Sequence, residues 1–80
     1  MSENINITVK LFAQYREGRF KVEQREVKVG TTPQMIMDEI GISEDALPLG
    51  VLMINSRHED TKTILKEGDI VAFFPKVGGG

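Results

Sequence analysis

The sequence contains no cysteine and no tryptophan, and it has a single histidine. Without cysteine the chain can form no disulfide, no thiolate nucleophile and no cysteine-ligated zinc or iron–sulfur centre. The lone histidine, His58, sits in the charged stretch His58 to Lys62 and reads as a solvated residue, not a catalytic base. The acidic pairs Glu44-Asp45 and Glu59-Asp60 lack the spacing of a calcium loop and read as surface charge. Gly41, Gly50 and Gly68 are scattered as turn residues and build no Walker A loop, so no metal and no bound cofactor is expected on the chain itself. No apolar run approaches the ~20 residues needed to span a bilayer, and Met1-Ser2-Glu3-Asn4 lacks the basic and apolar regions of a signal peptide. The chain is therefore expected in the cytoplasm and away from membranes. A strong charge of either sign is also missing: the net charge is -2, and Arg16, Arg19, Lys21 and Arg25 are interleaved with Glu17, Glu23 and Glu26. That pattern reads as a solvated charged face and gives no footprint for nucleic acid.

What is present is enough for one small folded domain. The 80 residues are 40% apolar and 28% charged, the balance of an ordinary globular chain with a modest core. Ile5, Ile7, Val9 and Leu11 alternate with polar residues, the period of a strand with one face on a core. Gly18 marks a turn, and Phe20, Val22, Val27 and Val29 predict a second strand; the hydrophobic parity slips between Val22 and Val27, which predicts a bulge. Gly30-Thr31-Thr32-Pro33 stops that strand and starts a helix, with Thr32 as N-cap and Pro33 in the first position. Ile36, Met37 and Ile40 share a helix face that ends at Gly41, with Met35 and Met37 as core or edge packing. Val51 to Ile54 is a continuous apolar run and predicts a buried strand. Asn55-Ser56-Arg57 and Glu67-Gly68-Asp69 are turns, and Ile70 to Phe74 is a last strand stopped by Pro75. Two strands, a helix and further strands predict an α+β fold, a mixed sheet of four to five strands packed on one main helix, for which the β-grasp or ubiquitin-like arrangement is the natural small example. Residues 1–75 form the predicted domain and 76–80 a tail.

The end of the chain, Phe73-Phe74-Pro75-Lys76-Val77-Gly78-Gly79-Gly80, is its unusual feature. Glycines bury no side chain and lose much backbone entropy on ordering, so a flexible tail is expected. From Lys76 to Gly80 it could extend roughly 17 Å, at about 3.4 Å per residue. It could enter a slot too narrow for any other residue and present the Gly80 carboxylate inside a partner. That carboxylate is ionised at neutral pH and is a poor electrophile, so another protein must activate it, for instance as an acyl-adenylate made from ATP. A sulfur donor displacing AMP would leave a thiocarboxylate. A glycine tail alone would read as a frayed end; its position directly after an apolar strand and a proline favours the functional reading.

The segment from Gly68 to Gly80, GDIVAFFPKVGGG, resembles the Gly-Asp-x-Val-Ala-Phe-Phe-Pro-Pro-Val-x-Gly-Gly ending of the molybdopterin synthase small subunit and its MoaD/ThiS sulfur-carrier relatives. Ile7 to Ala13 resembles the first strand of that family, and Thr32-Pro33 begins the expected helix. The resemblance implies a β-grasp fold and a carrier that is no enzyme by itself. It implies activation of Gly80 by an E1-like adenylating enzyme using ATP, a sulfurtransferase or desulfurase as sulfur donor, and delivery inside a molybdopterin synthase large subunit. Phe73, Phe74, Pro75, Lys76, Val77, Gly78 and Gly79 would then contact partners, although strand alternation lets only Val71 and Phe73 or Ile70, Ala72 and Phe74 face the core. Lys76 stands where these carriers usually have a second proline, which predicts a less stiff tail root, and Ala13 to Val29 looks more like a hairpin than the longer connection common among them. A thiamine-pathway sulfur carrier, a ubiquitin-like modifier joined to lysines through Gly80, and a non-covalent binding module with an incidental tail are the competing readings.

Overall fold

The alternation of Ile5, Ile7, Val9 and Leu11 is realised in strand β1 (Asn4–Leu11), where all four side chains are buried. The computed structural model describes residues 3–43 and 45–76. After β1 come a single 3₁₀ turn (Ala13–Arg16), β2 (Val22–Lys28), helix α1 (Pro33–Ile40), β3 (Leu49–Ile54), β4 (Arg57–His58) and β5 (Ile70–Pro75). The sheet order is β2-β1-β5-β3-β4. β1 and β5 pair in parallel at its centre, while β1 with β2, β3 with β5 and β3 with β4 are antiparallel. A mixed five-stranded sheet under one helix is the expected β-grasp.

Helix α1 starts and stops where its sequence directs. Thr32 is extended and accepts a hydrogen bond from the Met35 N–H, Pro33 occupies the first turn, and Gly41 closes the helix in the left-handed region at φ 90°. Ile36 and Met37 are fully buried against the odd-numbered side chains of β1. Ile40 is half-buried, and Met35, expected at the core or its edge, is exposed.

Five expectations need correction. β1 pairs with β2 in unbroken register from Asn4↔Lys28 to Lys10↔Val22, so the predicted bulge is not there. The hydrophobic parity slips because Val22 lies on the open face and is exposed, while Glu23 and Arg25 take the helix-side positions next to Val27 and are bridged to each other (Arg25 Nε to Glu23 Oε1, 2.5 Å). Arg25 also reaches Glu39 of α1 at 3.3 Å, so the basic segment is not simply solvated. Phe20 and Val29 fall outside β2, and the link from β1 is longer than a tight hairpin because the 3₁₀ turn intervenes. Val51 to Ile54, read as buried throughout, instead alternates, with Leu52 and Ile54 in the core and Val51 exposed.

Tyr15 is the largest core residue without a signal in the hydrophobic periodicity. The 3₁₀ turn drives it fully inside, where its hydroxyl donates to the Leu47 carbonyl at 2.9 Å. It ties the connection after β1 to the one before β3. At the other end of the sheet, Asn55 and Ser56 form the two-residue β3–β4 loop with φ of 53° and 68°. Asn55 donates to Asp69 and accepts from the Ile70 N–H, at 2.8 and 2.9 Å, joining that loop to the start of β5.

Candidate functional site: the root of the C-terminal tail

β5 runs through the centre of the sheet and carries the chain to its final residues. Its alternation is settled by packing: Val71 and Phe73 are fully buried under α1, Pro75 is also buried, and Ala72 and Phe74 lie half-buried on the face without the helix. Phe73 is thus removed from the expected partner surface, because a side chain with no exposed area has none to offer. Phe74 remains on it. Its ring stacks on that of Phe12 with centroids 4.1 Å apart and planes within 11°, and the Arg16 guanidinium lies over Phe12, 4.9 Å from its centroid. Arg16 is oriented by donating from Nε to the Leu11 carbonyl at 2.6 Å.

Across the strand boundary, Val51 pairs with Phe74 and Met53 with Ala72. Together with Phe12 they form a shallow apolar strip on the open face, bordered by His58 and Lys76. One sequence signal points to this strip: Phe12 comes directly after Leu11 and so takes the parity opposite to the buried residues of β1.

Lys76 is exposed, yet its backbone is held. Its N–H donates to the Pro48 carbonyl at 2.7 Å, a bond that proline in this position could not make. The lysine therefore fixes the tail root where the missing proline was expected to loosen it. Gly50, read as a turn residue, serves the same junction from inside β3. A Cβ there would stand 2.7 Å from Lys76 Cα, 2.9 Å from Lys76 N and 3.0 Å from the Pro75 carbonyl oxygen, all backbone atoms that cannot swing away. The register shift between Leu49 and Val51 falls at this close approach. Val77, Gly78, Gly79 and Gly80 lie outside the described residues.

Among the described residues no group of three His, Cys, Asp or Glu side chains could hold a metal ion, and no helix is long and apolar enough to cross a membrane. The described features near the end of β5 are an apolar surface and an anchored strand.

A model of the ThiS family matches residues 9–80. The chain belongs to the ThiS family. Among solved structures this ThiS-family chain is similar to a putative molybdopterin converting factor subunit 1 from Pyrococcus furiosus, with 28% identity and a TM-score of 0.69 over 91% of this chain and 99% of that one. It shares its fold with small archaeal modifier protein 1 of Haloferax volcanii, at 20% identity and a TM-score of 0.69 over 91% of this chain and 99% of that one. It also shares it with a chain of the complex of subunits 1 and 2 of the Helicobacter pylori molybdopterin-converting factor, at 21% identity and a TM-score of 0.57, covering 95% and 100%. No curated protein matches the sequence. The ThiS match takes in the tail and nearly all of the domain, and the neighbours of this fold comprise both molybdopterin converting factor subunits and modifier proteins.

Proposed function

We propose that this ThiS-family chain is a sulfur carrier whose reactive group is the Gly80 carboxylate, serving molybdopterin synthesis. In this reading the carboxylate attacks the α-phosphorus of ATP in an E1-like adenylating enzyme and pyrophosphate leaves. Hydrosulfide, released from the persulfide of a sulfurtransferase or desulfurase by a second thiol that is oxidised to a disulfide, then displaces AMP and leaves a thiocarboxylate. The thiocarboxylate enters a molybdopterin synthase large subunit, where its sulfur bonds to the precursor of the dithiolene of the molybdenum or tungsten cofactor and water cleaves the acyl–sulfur bond, returning the Gly80 carboxylate. Each step occurs on partner proteins, so the chain acts as substrate and subunit and is no enzyme alone.

The observation that carries the reading is the anchored root of the tail. Lys76 is held to Pro48 and backed by Gly50, at the end of a core strand and beside an apolar strip that contains Phe12, Phe74, Val51 and Met53. A strip of this kind can dock while the glycines beyond it reach inward. The test is intact mass and tail fragmentation of the protein isolated from its own cells without reductant. A gain of roughly 16 Da at Gly80, with the four methionines shown to be unoxidised, is the expected result.

The fold shared with small archaeal modifier protein 1 supports a second reading, conjugation of Gly80 to lysines of other proteins. The two readings use one activated carboxylate and differ in the nucleophile that receives it. Gly80 found in isopeptide linkage, with no thiocarboxylate, would replace the first by the second. Full function after deletion of Gly79 and Gly80 would sink both.

A further inference from the structure

β2 forms the outer edge of the sheet, with β1 on its other side. The Leu11 N–H donates to the Lys21 carbonyl and the Val29 N–H to the Glu3 carbonyl. With the unbroken register between β1 and β2, this means that odd-numbered residues of β2 direct their peptide groups at β1. Val22, Gln24 and Glu26 therefore direct theirs outward, along an edge that can accept another strand. Side chains on that edge divide by face: Glu23 and Arg25 on the helix side, Val22, Gln24 and Glu26 on the open side.

We propose that the strand which adds to this edge is β2 of a second copy of the chain, antiparallel, with Gln24 opposite its own counterpart on the two-fold axis. Charge selects this register. It sets Glu23 opposite the partner's Arg25, and Arg25 opposite the partner's Glu23, in positions that are not hydrogen-bonded and where facing side chains come closest. Arg25, already bridged to Glu23 and Glu39 of its own chain, then joins a ring of two arginines and two glutamates. Shifting by one two-residue step in one direction places Arg25 against Arg25, and in the other places Glu23 against Glu23; a further step places Glu26 against Glu26. Each sets like charges face to face.

On the open face the chosen register lays Val22, which is 56% exposed, against the stem of Glu26 and opposes no like charges. The outward groups of Val22, Gln24 and Glu26 supply about six backbone hydrogen bonds. The two sheets become one, β2 beside β2. Because the two copies run antiparallel, their β5 strands end at opposite ends of the double sheet, and neither tail root is covered. The inference is independent of what the tail carries.

Sedimentation velocity of the full chain over a range of concentrations provides the test. The wild type should pass from monomer to dimer as concentration rises. Glu23→Arg alone, or Arg25→Glu alone, makes every cross-strand charge pair repulsive and should weaken the dimer roughly tenfold or more. Mixing these two variants restores complementarity, since one chain then carries two arginines and the other two glutamates, and should yield a heterodimer as tight as the wild-type dimer. Rescue by mixing separates this from loss of the Arg25–Glu23 bridge within a strand, which mixing cannot repair. Gln24→Pro removes an outward N–H without touching the bonds to β1, and should give a folded monomer with thermal unfolding close to wild type. A wild type monomeric at millimolar concentration, a dimer unaffected by Gln24→Pro, or single-charge variants that do not pair on mixing would each overturn the proposal.

Discussion

The two faces of β5 are made of the same kind of residue and do different work. Under the helix, Val71 and Phe73 are sealed against Ile36, Met37 and the odd residues of β1. On the other side Ala72 and Phe74 rest half-buried among Phe12, Val51 and Met53. Neighbouring phenylalanines in one strand thus serve different ends: Phe73 holds the domain together, and Phe74 gives it an apolar surface. The lesson is that aromatic character identifies neither role, because parity along the strand decides it.

Truncation should separate the two faces most sharply. Phe73→Ala leaves a cavity at a fully buried site and should cost about 3–5 kcal/mol, enough to unfold much of so small a domain; urea titration followed by circular dichroism measures it. Retention of wild-type stability would mean that the helix-side face is not the core. Next in size, Gly50→Ala drives a methyl into the backbone of Pro75 and Lys76 and should cost about 1–3 kcal/mol. Its amide spectrum should show the change concentrated at Pro48 to Val51 and at Lys76, and a spectrum unchanged there would break the link between β3 and the tail root.

Smaller effects sharpen the contrast. Phe74→Ala should cost about 1–2 kcal/mol, well below Phe73→Ala, for it gives up one stacked pair and a half-buried surface. If the proposed carrier function is right, the same variant should lower the rate of adenylation or of sulfur delivery at subsaturating partner concentration by tenfold or more. A variant that unfolds like Phe73→Ala, yet docks normally, would invert the assignment of the two faces. Tyr15→Phe keeps the ring and deletes the bond to the Leu47 carbonyl, so denaturation should report a loss of about 1 kcal/mol.

Much of this arrangement is legible in the sequence because local and global preferences agree. Strand β1, the Thr32-Pro33 start and Gly41 stop of α1, the Asn55-Ser56 loop and β5 follow from spacing and turn chemistry, and each occurs where expected. The errors lie where a residue serves a neighbour distant in sequence. Val22 and Val27 could not be assigned to opposite faces without knowing that Arg25 and Glu23 bridge on the helix side near Glu39. Tyr15 gives no periodic signal, since a single 3₁₀ turn inserts it into the core. Gly50 looks like any turn glycine because its need is imposed by Lys76, 26 positions on. At the candidate site, Phe74, Pro75 and Lys76 are visible from the tail motif and Phe12 from its parity after Leu11, whereas Arg16, Val51 and Met53 come to light only once the sheet order places them beside it. The predicted roles of Val77 to Gly80 fall beyond the described residues.

The parallel pairing of the first strand with the last has a consequence for how the protein is made. β5 is synthesised after every other described element, yet it occupies the middle of the sheet, between β1 and β3. A chain released before β5 would lack the strand on which both halves of the sheet close, and non-local pairing of this kind must await the synthesis of β5. Completion of the core and delivery of the tail root to the sheet end are consequently one event. A ribosome product able to offer its terminal residues from an anchored Lys76 has, by that fact, passed an inspection of its own folding.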